Sequence, residues 1–235
     1  DADGDSLSAP ANTIVLNIGD DVPVVIVDGP VALDVDEDAL DGGNLVDGDG
    51  GPAPTLTAQT DLTAVLSVGA DAPGSFGFTE TAVSTLNGLG LTSGGASVIF
   101  TANGDGTVLT GSANGTPVLS VALTPAGVLS VELLDQVDHP AGDAIETNLT
   151  LDLSGIVAIT DADGDSLSAP ANTIVLNIGD DVPVVIAQAP VVLDVDEDAL
   201  IGGNLVDGDG GPAPTLTAQT DLTSVFRVGS DEPGS

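Results

Sequence analysis

Residues 1–26, DADGDSLSAPANTIVLNIGDDVPVVI, recur without a change at 161–186, and the match runs on with a few substitutions to Ser235. A chain that repeats itself at an offset of 160 residues is built from tandem units, and each unit must fold by the same rules. Only the stretch from about Phe76 to Thr160 occurs once, so the chain holds roughly one and a half copies. Near-identity between copies points to recent duplication within one gene. Arrays of this kind serve as spacers or repeated binding surfaces, an arrangement that an enzyme seldom needs. A unit of this length buries about 70% of its unfolded surface, enough for a core without disulfides. The chain has no Cys, which removes disulfides, thiolate metal sites and cysteine nucleophiles together.

The expected joint is Ile-Gly-Asp-Asp-Val-Pro, at 18–23 and 178–183, where a strand ends, two carboxylates follow and Pro enforces an extended exit. Residues 1–21 then form the C-terminal end of a preceding repeat, 22–181 one complete repeat, and 182–235 the N-terminal part of the next. The opening Asp-Ala-Asp-Gly-Asp reads as the interior of a longer array. No apolar run approaches a membrane span, and no charged-then-apolar start marks a signal peptide.

Charge is nearly all of one sign, with 37 Asp+Glu against 1 Lys+Arg and a net charge of -36. Such a surface repels phosphate backbones and acidic lipid headgroups, so we expect no nucleic acid as partner and no direct membrane insertion. Cations are the natural partners. Plentiful Val, Leu, Ile and Ala, with a mean hydropathy of +0.35, separate the chain from disordered acidic sequences.

Hydrophobicity alternates with a period of two. Leu129, Val131 and Leu133 alternate with Ser130 and Glu132, and Leu149, Leu151 and Leu153 with Thr150, Asp152 and Ser154. Gly-rich connectors mark hairpins: Asn103-Gly-Asp-Gly106 between 97–102 and 107–112, Asn114-Gly115 before 117–123, and Pro125-Ala-Gly127 before 128–134. Helix-forming Lys, Arg, Gln and Met are scarce or absent, which excludes a helical bundle. The expected fold class is all-β, an immunoglobulin-like antiparallel β-sandwich repeated in tandem, with a short helical turn possible within 83–95.

Four motifs concentrate the acid. In Asp161-Ala-Asp163-Gly-Asp165 and its copy Asp1, Asp3, Asp5, alternate carboxylates around a Gly can wrap Ca2+, which takes six to eight oxygens in irregular geometry. It is no EF-hand, since the twelfth place is Asn172, and a solvated acidic turn is the alternative. On a strand, Asp34 and Asp36, copied as Asp194 and Asp196, would share a face and repel unless a cation lay between them. Asp20-Asp21 and Asp180-Asp181 fall at the joint, where ligands from two consecutive domains could meet around an ion; a solvated linker is the alternative. Asp47-Gly-Asp49, copied as Asp207 and Asp209, reads as a loop. At least one Ca2+ site per repeat is expected.

Catalytic readings are weaker. His139, the only histidine, lies in Asp135-Gln-Val-Asp138-His139-Pro140 and reads as a loop anchor before it reads as a base or ligand. Paired carboxylates could serve a glycosidase, but sugar sites carry aromatic platforms, and the chain has no Trp or Tyr and only 4 Phe. Arg227 replaces Ser67 of the earlier copy, so it holds no role essential to every repeat.

The succession Asp135-Gln-Val-Asp138-His139-Pro140, alternating strands, Asp161-Ala-Asp163-Gly-Asp165-Ser, and an Ile-Val-Leu-Asn-Ile strand closing on Gly-Asp180-Asp181-Val-Pro183 resembles the long tandem repeats of RTX adhesins. So does Leu193-Asp-Val-Asp-Glu-Asp-Ala-Leu at the start of a unit. The resemblance spans essentially the whole chain. It implies an immunoglobulin-like extender domain, Ca2+ at or near the joints, and a location on the bacterial cell surface after type I secretion, holding an adhesive tip away from the cell. Asp20, Asp21, Asp180, Asp181 and the Asp-rich start of each unit would be joint ligands on that basis. The expected partners are neighbouring repeats of the same chain, with homotypic contacts as a further possibility. Folding would be switched by compartment, because Ca2+ binding only the folded state stabilises it by linkage. The rival readings are a binding module for a glycan, a surface or the same repeat on another cell, and a self-assembling filament or surface-layer subunit in which residues 1–21 complete another chain.

Overall fold

A computed structural model describes residues 2–26, 29–44, 54–140, 148–186, 189–203 and 215–230. Asp1, Asp47, Asp49, Asp207 and Asp209 lie outside the described residues. The chain is all-β. Five antiparallel strands form the largest sheet, in the order Thr57–Asp61, Val128–Leu133, Thr116–Leu123, Val108–Ala113, Ile99–Ala102. Its inward face follows the sequence alternation: Leu129, Val131 and Leu133 pair with Leu123, Val121 and Leu119 across the strands, and all six are buried. Period-two patterning puts these side chains on one face, and apolar burial there drives the pairing.

Two three-stranded sheets complete the unit, Leu149–Asp152 beside Ile174–Gly179 beside Val31–Asp36, and Ser166–Ser168 beside Val157–Thr160 beside Ser75–Phe78. Their buried residues, among them Leu33, Val35, Leu151, Ile159, Ile174, Leu176 and Ile178, join the five-stranded sheet in one core. A seven-residue α-helix, Ala82–Gly88, overlaps the stretch where a helical turn was possible and sinks Ala82 and Leu86 into that core.

One pairing departs from the antiparallel expectation. Val31–Asp36 and Ile174–Gly179 run parallel, in register from Ile174 opposite Val31 to Gly179 opposite Asp36. Hairpins force antiparallel neighbours, but these strands are joined by a whole unit's length of chain and carry no such constraint. The start of the last strand is locked from within: the buried Ser154 Oγ accepts from the N–H groups of Thr173 and Ile174, both at 2.9 Å. Asp152 accepts from Ser154 and Asn172 backbone N–H groups, and these bonds outweigh its partial desolvation to hold its carboxyl below the ordinary range.

Residues 2–21 repeat the sequence of the last strand and the turn before it but form no strand and lie exposed. In the second partial copy, Val184–Val185 pairs with Phe226–Arg227 as Val24–Val25 pairs with Leu66–Ser67.

Candidate metal centres

Acidic residues gather at two places, each next to one of the Gly-Asp-Asp-Val-Pro linkers. At the first, the strand Val157–Thr160 ends and the chain turns back through Asp161-Ala-Asp163-Gly-Asp165. Gly164, at φ +108°, supplies the positive-φ residue of that turn. Asp161 is 7% exposed, and its Oδ1 accepts from the N–H groups of Gly164 at 3.0 Å and Asp165 at 2.8 Å. The turn is thereby wrapped around one carboxylate. The second oxygen, Oδ2, is buried and receives no hydrogen bond among the described residues.

Asp163 and Asp165 close on the same space, with one oxygen of each of Asp161, Asp163 and Asp165 within 4.8 Å of the others. A backbone bond from Ala162 N–H to the Asp71 carbonyl, 3.0 Å, draws in the loop 69–74. Asp20 of the linker arrives from the other side, and Asp20, Asp71 and Asp163 form an overlapping group within the same limit. Five carboxylates from three segments thus converge. Crowding of like charge shifts two of these carboxyls in the same direction. Asp163 is pushed above the ordinary carboxylate range first by the adjoining Asp161 side chain, then by desolvation and the charges of Asp161, Asp20 and Asp165. Asp165 is raised in the same way, first through Asp20. Hard divalent cations relieve this repulsion.

The second gathering surrounds the exit of the last strand. Where Val31–Asp36 ends, Asp36 caps a 3-10 turn, Glu37–Ala39, with its Oδ1 accepting from Asp38 N–H at 2.9 Å. The turn carries Glu37 inward to 0% exposure, where its Oε1 accepts from Val137 N–H at 2.6 Å. That bond fastens the Asp135–Pro140 loop over the turn. His139 is brought in with it, its side chain 3% exposed and its Nε2 3.6 Å from Glu37 Oε1. Asp180, half-buried, completes a group of three ligand atoms within 4.8 Å. Its carboxyl is raised by burial and by Asp181, with His139 acting in the opposite sense.

Asp181 does different work. Its Oδ1 accepts from Asn44 Nδ2 at 2.6 Å, and its Oδ2 from Ser230 N–H at 2.5 Å, so one buried carboxylate joins the first unit to the loop of the next. The earlier copy repeats half of this clamp, with Asp21 Oδ2 accepting from Ala70 N–H at 2.5 Å. Gly69 and Gly229 have φ +70° and +97°, and a Cβ at either would fall on the clamping carboxylate. Both features require glycine there.

Among the sequence candidates, the structure brings together Asp20, Asp161, Asp163 and Asp165 at one centre and places Asp180 at the other. Asp21 and Asp181 are hydrogen-bonded clamps. Asp3 and Asp5 lie exposed on the first copy of the turn, away from any such group among the described residues. Asp34 and Asp36 do not share a cation-binding face, contrary to expectation: Asp34 points outward to accept from Asn177 Nδ2 at 2.8 Å, while Asp36 is buried as a cap. Both lie within the strand, but Asp36 is its last residue and its carboxylate is taken up in capping the 3-10 turn that follows. Their copies behave alike, with Asp194 exposed and Asp196 capping Asp198 N–H at 2.8 Å. Sequence reasoning missed Asp71, Glu37 and Asn44 as contributors. Asp71 carries no local pattern, whereas His139, as the sole histidine of an acidic chain, was a signal that its role as a loop anchor obscured.

Among the described residues no helix is long and apolar enough to cross a membrane. Neither the curated proteins nor the solved structures contain a match to the chain. A family model described as a domain of unknown function, DUF5801, matches residues 32–173, which run from the strand Val31–Asp36 to the residue before Ile174–Gly179. That match covers well over half of the sequence, and the chain belongs to the DUF5801 family.

Proposed function

We propose that the chain is part of a calcium-rigidified extender in a secreted bacterial surface adhesin, with immunoglobulin-like repeats that project an adhesive region and perform no catalysis. The carrying observation is the approach of linker Asp20 to Asp71, Asp161, Asp163 and Asp165. An ion held there would tie the linker to the body of the unit that follows it, so ion binding would stiffen the joint rather than the interior. An all-oxygen site of irregular geometry suits Ca2+, and affinities of about 0.1–1 mM are ordinary for extracellular modules. The clamps by Asp21 and Asp181 support a defined joint, and the parallel pairing of first and last strands supports the immunoglobulin-like reading. In a calcium-poor compartment the same carboxylates oppose folding; outside, ion binding to the folded state offsets that repulsion.

The test is thermal unfolding in EGTA, in millimolar CaCl2 and in matched MgCl2. A large rise in Tm specific to Ca2+ is expected, and three coincident curves would overturn the reading.

A second reading, assembly, is favoured by one observation. Ile14, Leu16 and Ile18 are 87%, 81% and 85% exposed although their copies form a buried strand, and Val192, Leu193 and Val195, copies of the residues that strand pairs with, are exposed too. Segment 1–21 of one chain could then pair with 191–196 of another. Sedimentation over a hundredfold concentration range decides it, with growth in mass supporting assembly and a constant monomer removing it.

A further inference from the structure

We infer that Glu37, His139 and Asp180 form a second metal site of a different class, taking a borderline first-row divalent ion such as Zn2+ or Co2+ rather than Ca2+. The three ligand atoms lie within 4.8 Å of one another and come from three separate segments: the 3-10 turn after the first strand, the Asp135–Pro140 loop and the exit of the last strand. Their spacing is therefore fixed by the packed unit and not by one flexible loop. An imidazole nitrogen is a poor ligand for Ca2+ or Mg2+, which take oxygen, and a good one for Zn2+ or Co2+. Two carboxylates and one imidazole provide three protein ligands and leave a coordination position for water.

One further feature favours a cation at this pole. Asn44 is 1% exposed and spends its amide nitrogen on Asp181 Oδ1 and the Val182 carbonyl, which leaves its Oδ1 buried with no hydrogen bond among the described residues. Glu37 is already oriented by Val137 N–H, the kind of outer contact that sets a ligand's direction. An ion here would pin the Asp135–Pro140 loop to the point where the chain leaves the unit.

The chain holds one histidine, so the His139 ring resonances report directly on the unsubstituted 235-residue chain. Titration with ZnCl2 should shift them to saturation at one ion per chain, while CaCl2 at millimolar concentration leaves them in place. Asp180→Asn, at a half-buried position, should weaken that saturation about tenfold or more while the protein stays folded by circular dichroism. Co2+ should give visible absorption bands that His139→Gln abolishes. Ring resonances indifferent to Zn2+, or a Zn2+ affinity unchanged in Asp180→Asn, would overturn the assignment. Neither result touches the calcium reading, which is decided by the Tm response to Ca2+.

Discussion

Residues 1–26 and 161–186 are the same 26 amino acids in two settings. Their local structures agree: Asn12 and Asn172 take φ 65° and 61°, Gly4 and Gly164 take φ 96° and 108°, and Thr13 and Thr173 both donate backbone N–H groups to the Pro carbonyl three residues earlier. Their burial does not agree. Ile174, Leu176 and Ile178 are 0% exposed against Val31–Asp36 and Leu149–Asp152, while Ile14, Leu16 and Ile18 stay in solvent. The turn chemistry belongs to the segment, and the strand belongs to its neighbours. A strand's alternation marks a face that can be buried, but its hydrogen bonds and its burial both need a partner.

The comparison can be broken most forcefully at its apolar positions. Leu176→Ala should cost about 2–5 kcal/mol in urea unfolding, because it empties a filled core, and Leu16→Ala should leave the main transition unmoved. Equal effects would mean that the first copy is packed after all. The next largest contrast lies in the clamps. Asp181→Ala strands Asn44 and the Ser230 N–H and should cost about 1–3 kcal/mol of stability or of coupling between the units, measured by urea unfolding and by protease sensitivity of the linker. Asp21→Ala, at an exposed carboxylate, should cost clearly less.

Asn172→Ala replaces a residue that tolerates positive φ by one that does not, in a turn fixed by the folded unit, and should cost about 1 kcal/mol, against no change for Asn12→Ala. For the carboxylates, Asp163→Asn should reduce the Ca2+-induced rise in Tm, and Asp3→Asn should leave it intact. A smaller, screened effect concerns pH. Asp163, Asp165 and Asp180 have raised folded values, so their favourable contribution is complete below the unfolded value near 3.8 and is lost as pH rises through the raised values. In EGTA, lowering the pH from 7 toward that window should therefore raise Tm. Asp61 and Asp152 act oppositely, with contributions lost only as pH falls through their lowered values. With Ca2+ present the first trend should reverse, since protons then compete with the ion.

Much of the fold was legible because its signals are local. The alternation at 128–134, the Gly-rich hairpins after Ala102, Ala113 and Leu123, and the helical turn within 83–95 all appear where the sequence puts them. The antiparallel expectation failed at one pairing, Val31–Asp36 with Ile174–Gly179, because no hairpin signal exists for strands so far apart. At the candidate centres, Asp161, Asp163 and Asp165 were legible from spacing alone, since a turn of five residues fixes their geometry. Asp34 and Asp36 misled, because strand alternation does not show that the strand's last residue caps the turn that follows.

By itself, then, the sequence determined the period, the charge, the turns and which faces could be buried, all of which depend on residues close along the chain. Only the tertiary structure decided which copy of each strand found a partner, that Asp20 meets Asp71 and the 161–165 turn, and that Glu37, His139 and Asp180 share one pole. Those meetings join segments up to a hundred or more residues apart. They are set by how the apolar faces pack, and no local pattern encodes that.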